Sequence, residues 1–218
     1  MAERGWLERD ADDRQYRLGP FVRRLADAQQ RARPAAREQA REALAALSAD
    51  TGHAAHLSVL AGTETVLLEH FCGPHPLQVM SPIGSRLPAS VTAMGRVLLS
   101  RLSEAEFRAR YGSDDEALLE SAPPRCPASV GALFRRVEQA RRERAASAVE
   151  EGLPGVAAVA TTLFDPASRT TLGLALSFPS RLVSASDIKR YRQDLVTIAH
   201  RIGVAIGDPW WNDASRNA

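Results

Sequence analysis

The chain is organised around one stretch, Gly84-Ser-Arg-Leu-Pro88-Ala-Ser-Val-Thr92-Ala-Met-Gly95-Arg-Val-Leu-Leu-Ser100. Because proline cannot occupy a helix interior, the chain should be extended at Pro88 and begin a helix near Thr92. Apolar residues then recur at three- and four-residue spacing, which predicts one apolar helical face made of Val91, Met94, Leu98 and Leu102.

The first turn of this helix is unusually small. Thr92, Ala93 and Gly95 place little bulk in front of its unpaired N–H groups, and Met94 lies between them. Such N–H groups stand at the positive end of the helix dipole and can receive a carboxylate or a similar anion. The same small residues would also suit a tightly packed helix start, so the local pattern leaves both interpretations open.

Composition is that of an ordinary globular protein. Of 218 residues, 44% are hydrophobic and 25% are charged, which allows one good core or a domain with a small appendage. No apolar run approaches the roughly 20 residues that span a bilayer, and the N-terminus lacks a signal-peptide core. Cys72 and Cys126 form neither a disulfide framework nor a metal-ligand spacing. We therefore expect a cytoplasmic protein with no membrane partner.

The basic residues are almost all arginine, since Lys189 is the only lysine among 28. Arginine binds phosphate and carboxylate well, but such a bias is also typical of a GC-rich genome. Residues 1–33 carry eight arginines against six acidic residues, and the remainder is balanced. This N-terminal surplus is too slight to establish nucleic-acid binding.

The N-terminal segment predicts a two-stranded hairpin followed by a helix. Residues 6–9 and 15–18 flank a turn-rich segment, and an isolated hairpin needs a cover to be stable. Its arginines, which could contact phosphates or form a solvated ribbon, are Arg4, Arg9, Arg14 and Arg17. Helical spacing of apolar residues follows at Phe21, Val22, Leu25 and Ala28.

Further along, a helix ends near Gly52, and alternating residues predict a hairpin and then a third strand over 77–83. After the quoted stretch, Ser103 and Ser113 each begin a capping-box pattern that predicts a short helix, and a longer helix starts near Val130. Three more strands, a closing helix from Ser184 to Gly203 or Gly207, and a tail with paired tryptophans complete the chain. This order predicts an α+β fold, an antiparallel sheet flanked by helices.

The sequence offers little for metal or catalytic chemistry. His53 and His56 would point to opposite faces of a strand, and His70 and His75 are separated by a turn, so we expect no dedicated metal site. Nucleophile–base sets and phosphate loops are not evident, and we expect neither a cofactor nor an enzyme.

The stretch from Gly84 resembles the motif Gly-x-x-x-Pro-x-x-x-Thr/Ser-Ala-x-Gly-Lys/Arg-x-x-Leu of the IclR family of bacterial transcription regulators. The segment Glu151-x6-Ala158-Val-Ala160-x2-Leu163-Phe-Asp165 is similar to the second half of another signature of that family. The first half of that signature has drifted, because Arg144 replaces a usual glycine and Ala148 a usual acid or serine.

The resemblance implies a GAF-like effector domain over 34–207, preceded by a wing remnant over 1–20 and a linker helix over 21–33, with a tail over 208–218. It implies a homodimer or homotetramer. The family's helix-turn-helix would precede Gly5, so operator DNA is an expected partner only if such a segment lies upstream of Met1. The remaining alternatives are an internal start, a truncated chain, or a free-standing small-molecule binding module that has lost DNA binding.

The resemblance also implies an effector pocket, in which a small acid is held by amides at Ala93 and Met94 and by polar side chains on strands. Those polar positions fall at Ala148, Ala158, Ala175 and Ser177, so three of the four are alanine here. We expect Val156, Val79 and Leu87 to add apolar wall. The substitutions favour a larger, aromatic acid over a small hydroxy- or keto-acid, and the alternative is a filled core without ligand.

Overall fold

The computed structural model describes residues 5–9, 15–31, 34–113 and 125–212, with the side chains of Arg9 and of residues 26–31 excepted. The chain divides into two compact units, Met1–Ala35 and Ala36–Ala218.

In the first unit the predicted hairpin is present. Strands β1 (Leu7–Arg9) and β2 (Tyr16–Leu18) pair antiparallel, and helix α1 (Pro20–Arg31) follows. The Trp6 ring meets the Phe21 ring edge-on at 4.6 Å between centroids, so the helix start supplies the cover that a hairpin needs. The function of this hairpin as a DNA-contacting wing stays a prediction.

Of the four hairpin arginines, only Arg17 has a side chain within the described residues. Arg4 and Arg14 lie outside the described residues, as does the side chain of Arg9, whereas Arg17 lies exposed on β2.

The second unit is built on one six-stranded antiparallel sheet with the strand order β5-β4-β3-β8-β7-β6. The predicted α+β class is confirmed. Its strands are β3 (Ala54–Ala61), β4 (Glu64–Phe71), β5 (Arg86–Pro88), β6 (Ala146–Val149), β7 (Val156–Asp165) and β8 (Thr170–Pro179). Its helices are α2 (Ala35–Thr51), α3 (Ala93–Leu99), α4 (Glu104–Tyr111), α5 (Val130–Glu143), α6 (Ala185–Ile206) and α7 (Pro209–Asn212).

Helices cover both faces of this sheet, and the two faces differ in side-chain size. Against α2 and α6 the strands present large residues such as Leu57, Leu174 and Phe178. Against α3 they present mostly alanines, among them Ala160 and Ala175. Successive side chains of a strand point to opposite faces of the sheet, so the large and the small residues alternate along each strand.

One predicted strand is wrong. Residues 77–83 form no strand, and the strand that extends this edge of the sheet is β5, which pairs with β4 through Glu64 and Pro88. The reason lies in Gln78, whose amide Nε2 donates to the carbonyl oxygens of Gly52, Gly73 and His75 at 2.9, 3.2 and 2.6 Å. These bonds fold the segment back on itself instead of leaving it extended.

The helix predicted from Thr92 is present, but it differs from the expected amphipathic helix. It ends at Leu99, short of Leu102, and every residue from Ala93 to Leu99 is buried, including Arg96. The apolar spacing therefore marked a helix enclosed on all sides. The capping box at Ser103 is confirmed at the start of α4. The helix predicted from Ser113 falls within 114–124, outside the described residues.

The expected C-terminal tail is packed as far as Asn212. The buried Asp208 accepts from both terminal nitrogens of Arg101 at 2.9 and 2.7 Å, and from the Phe164 amide at 2.8 Å. Trp211 is buried, and its indole N–H donates to the Thr162 carbonyl at 3.1 Å. The paired tryptophans thus fold back on the domain, and Gly207 caps the C-terminal end of the closing helix, as the sequence allowed.

Candidate functional site

A cavity of about 120 Å³ lies between the alanine-rich face of the sheet and the start of α3. All six strands of the sheet contribute to its wall, together with the segment before β5. Ten of the eleven residues expected at an effector pocket line it: Thr92, Ala93, Met94, Ala148, Ala158, Ala175, Ser177, Val79, Leu87 and Val156.

The eleventh residue, Gly95, does not line the cavity. A Cβ atom at this position would collide with the carbonyl oxygen of Ala89, in the turn that precedes α3. Gly95 therefore lets the helix pack against that turn. Gly173 does the same on β8, where a Cβ would collide with the Met94 sulfur. The small residues of the motif thus have two functions, since some line the cavity and others allow close packing.

The start of α3 supplies two residues of the cavity wall, Ala93 and Met94, whose amides belong to the first turn. The Thr92 side chain accepts from the Gly95 amide at 2.9 Å, and the Thr92 carbonyl accepts from the Arg96 amide at 3.2 Å. The amides of Ala93 and Met94 have no partner within the helix, because first-turn N–H groups point away from its ladder. In a seven-residue helix these two groups act as local hydrogen-bond donors, with little contribution from a dipole.

Sequence reasoning missed ten residues of the wall. Most come from β3, β4 and the loops beside the cavity, whose approach depends on the strand order and on the fold of the segment before β5. They are His56, Ser58, Thr65, Leu67, Ser81, Ser85, Val91, Glu151, Gly152 and Leu153.

Glu151 is the acidic residue of this wall, and two arginines neutralise it. Arg96 donates to its two oxygens at 3.0 and 3.3 Å, and Arg136 donates to one of them. Burial lowers the pKa of Arg96, but Glu151 opposes that shift and favours the charged guanidinium. The three groups carry a net charge of +1, so this side of the cavity does not repel an anion.

The Arg96–Glu151 pair also joins the two motifs quoted from the sequence. Arg96 is the basic residue of the first motif, and Glu151 is the first residue of the second. The sequence signal that could have identified Glu151 as a wall residue was its position at the start of the second motif. The pair holds the start of α3 against the end of β6.

His56 contributes an uncharged imidazole to the wall. Burial, with a smaller contribution from His70, lowers its pKa to about 3. Its Nδ1 atom lies 3.2 Å from the Nδ1 of His70, so one of the two nitrogens donates and the other accepts. At neutral pH the cavity therefore offers a polar but uncharged ring here, beside the hydroxyls of Ser58 and Ser177.

The described residues contain no group of three or more His, Cys, Asp or Glu side chains that could hold a metal ion. Within the same ranges, no helix is long and apolar enough to cross a membrane. Cys126 is buried and donates to the Glu151 carbonyl at 2.8 Å, and burial raises the pKa of its thiol, which is unfavourable for a nucleophile.

Comparisons of this chain with known protein families, sequences and structures agree with one another. A family model described as "Bacterial transcriptional regulator IclR C-terminal" matches residues 32–204. The HTH-type transcriptional regulator XynR of Escherichia coli is 31% identical, with 94% of this chain and 80% of XynR covered. The regulator TtgV of Pseudomonas putida is 30% identical, over 87% of this chain and 71% of TtgV.

Solved structures agree. An IclR-type regulator from Silicibacter sp. TM1040 superposes with a TM-score of 0.80 at 25% identity, covering 94% of this chain and 80% of that one. The C-terminal domain of the E. coli regulator KdgR has a TM-score of 0.64 at 26% identity, covering 79% and 98%. These relatives are transcription regulators and not enzymes, as expected from the sequence. The chain belongs to the IclR family of bacterial transcription regulators.

Proposed function

We propose that residues 34–207 form the effector-sensing domain of a ligand-responsive regulator, and that the cavity at α3 binds a small aromatic acid. The observation that carries this proposal is the cavity itself, in which the two motif stretches meet around a mostly apolar space. Such a regulator would act in the cytoplasm, and it would read operator DNA only through a helix-turn-helix segment.

The size of the cavity limits the ligand. A volume of about 120 Å³ is close to that of an apolar cavity of about 150 Å³ that binds benzene. Drug-sized ligands occupy pockets of roughly 300–1,000 Å³. One aromatic ring with a short polar substituent is therefore the appropriate size.

The wall chemistry favours an acid with an apolar body. Alanines at 148, 158 and 175 provide apolar surface and no hydrogen bonds, so a small keto-acid would leave buried polar groups unpaired at a cost of about 1–3 kcal/mol each. The ring of an aromatic acid can lie against these alanines. Its carboxylate can accept from the Ala93 and Met94 amides and the Ser177 hydroxyl, and Arg96 and Arg136 neutralise the nearby Glu151.

A thermal-shift screen of the 218-residue chain tests this function, with benzoate-like acids compared against glyoxylate and pyruvate. Benzoate-like acids should raise the melting temperature more. Ala158→Leu should abolish that shift by filling the cavity, whereas Ala128→Leu, at an exposed position before α5, should leave it unchanged.

Two results would refute the proposal. A larger shift with glyoxylate or pyruvate would contradict the substitution argument. An undiminished shift in Ala158→Leu would place the aromatic acid elsewhere on the chain.

We also propose that α1 is a linker helix that mediates symmetric self-association. Phe21 and Leu25 lie on this helix with 37% and 45% of their surface exposed, an apolar stripe that a second copy can cover. Light scattering should report a dimer or a tetramer, and Leu25→Glu should lower the mass. A monomer at high micromolar concentration would contradict this assembly.

A further inference from the structure

A cluster of metal-binding side chains lies at the end of β4 and in the segment that follows it. The His70 Nε2 atom lies 3.1 Å from Cys72 Sγ, and Cys72 Sγ lies 3.6 Å from the Met80 thioether sulfur. We propose that His70, Cys72 and Met80 form a binding site for one cuprous ion, Cu(I).

The ligand types select the ion. A thiolate and a thioether are soft ligands that favour Cu(I), and imidazole also suits copper. Zinc in proteins is bound by Cys, His and carboxylate ligands, a set without Met, and magnesium and calcium prefer oxygen ligands. With His, Cys, Asp and Glu counted, the described residues hold no metal-binding group of three. The site therefore depends on Met80, which makes Cu(I) the ion of choice over zinc.

The separations of the ligand atoms fit a low-coordinate ion. Metal–nitrogen and metal–sulfur bonds of about 2.0–2.3 Å place the ligands of a three-coordinate ion about 3.5–4 Å apart. The observed His70–Cys72 and Cys72–Met80 separations of 3.1 and 3.6 Å each lie within about 1 Å of this range, and Cys72 and Met80 are exposed and have room to move. On binding, the Cys72 thiol loses its proton to solvent as the copper–sulfur bond forms.

The path of the backbone brings Met80 back into contact with Cys72. Eight positions separate them in sequence, and the three hydrogen bonds of the Gln78 amide fold the intervening segment back. The site is thus formed by the same loop that replaces the expected third strand, which is why alternation along the sequence gave no sign of it.

His56 acts as a positioning residue for His70. Their Nδ1 atoms lie 3.2 Å apart, and a hydrogen bond at Nδ1 leaves the other nitrogen of His70, Nε2, directed toward Cys72. Histidine ligands commonly have such a second partner that fixes the ring. Because His56 also lines the cavity, it connects the two sites.

The test is anaerobic titration of the full chain with Cu(I) against a chromogenic Cu(I) chelator. The wild type should retain one Cu(I) per chain. Loss of an outer partner weakens metal sites about 10–100-fold, so Cys72→Ser, which removes a direct ligand, should weaken binding by at least about 100-fold. Met80→Leu should weaken it by at least about tenfold. The control Cys126→Ser, at the buried second cysteine, should bind as the wild type does.

X-ray absorption at the copper edge gives an independent readout, with two sulfur ligands and one nitrogen expected. Equal urea midpoints for the variants would show that lost binding is not lost folding. The proposal is overturned if the chelator removes copper from the wild type, if Cys72→Ser or Met80→Leu binds like the wild type, or if Cys126→Ser loses the ion.

Discussion

Strand β8 shows both faces of the sheet within a few residues. Leu174, Leu176 and Phe178 are fully buried in the core formed with α2 and α6. Ala175 and Ser177, which alternate with them, line the cavity on the α3 side. The backbone is the same for both sets, so side-chain volume decides which face is solid and which is hollow.

The cavity is therefore a result of residue choice on one face, while the opposite face provides most of the stability. Large side chains on the α2–α6 face form a cluster of buried residues, so removing one leaves a void. On the α3 face small residues surround a cavity that is already present. Substitutions there should therefore change ligand binding more than the free energy of unfolding.

The largest expected effect is on the packed face. Leu174→Ala should lower the free energy of unfolding by about 2–5 kcal/mol, because it loses burial and leaves a cavity in a fully enclosed site. Urea denaturation followed by circular dichroism measures this. Leu153→Ala, at a wall residue with 48% of its surface exposed, is the matched control and should cost less than about 1 kcal/mol. Equal losses would show that the two faces do not differ as argued.

A smaller effect on the free energy of unfolding should come from His56, whose titratable imidazole is buried on the α3 face of the sheet. Its pKa is about 3 in the folded chain and about 6.5 when unfolded, so below pH 6.5 the unfolded state binds more protons. Stability from this group is complete above pH 6.5 and is lost as the pH falls toward 3. Between pH 6.5 and pH 5 the loss should be about 2 kcal/mol.

Urea unfolding of the wild type and of His56→Gln at pH 7.5, 6 and 5 provides the measurement. The substitution keeps a polar side chain that does not titrate in this range, so its stability should depend less steeply on pH. Identical slopes for the two proteins would mean that folding does not lower the pKa of His56.

The α3 start and the alternation of β7 and β8 were predictable from sequence, because both depend on local spacing. Alternation puts Ala175 and Ser177 on one face of β8, whereas their placement on the same wall as Ala158 of β7 came from the resemblance to the IclR family. The contribution of Ser58 was not predictable, since it depends on β3 pairing with β8, a strand more than 100 residues later in the chain, rather than only with the neighbouring β4.

The segment over 77–83 shows why alternation alone can mislead. Its apolar residues were interpreted as a strand, yet Leu77, Met80 and Ile83 are all largely exposed. The Gln78 side-chain amide donates to three carbonyl groups, and together with the bonds that His75 makes to Gly52 and Leu77 it holds this segment folded back. Such contacts leave no periodic signal in the sequence.

The smallest expected effect concerns one hydroxyl on the cavity face. Ser177→Ala should weaken binding of a benzoate-like acid about two- to tenfold, which corresponds to one hydrogen bond of about 0.5–1.5 kcal/mol. Ser177 pairs with Ala54 on β3 and Ala158 on β7, in the centre of the sheet, so the fold should tolerate the loss of one oxygen. Calorimetric titration with benzoate measures the change, and Ser186→Ala, at an exposed site on α6, is the control. A loss confined to Ser177→Ala would place the carboxylate near β8, whereas unchanged affinity would assign its recognition to the Ala93 and Met94 amides alone.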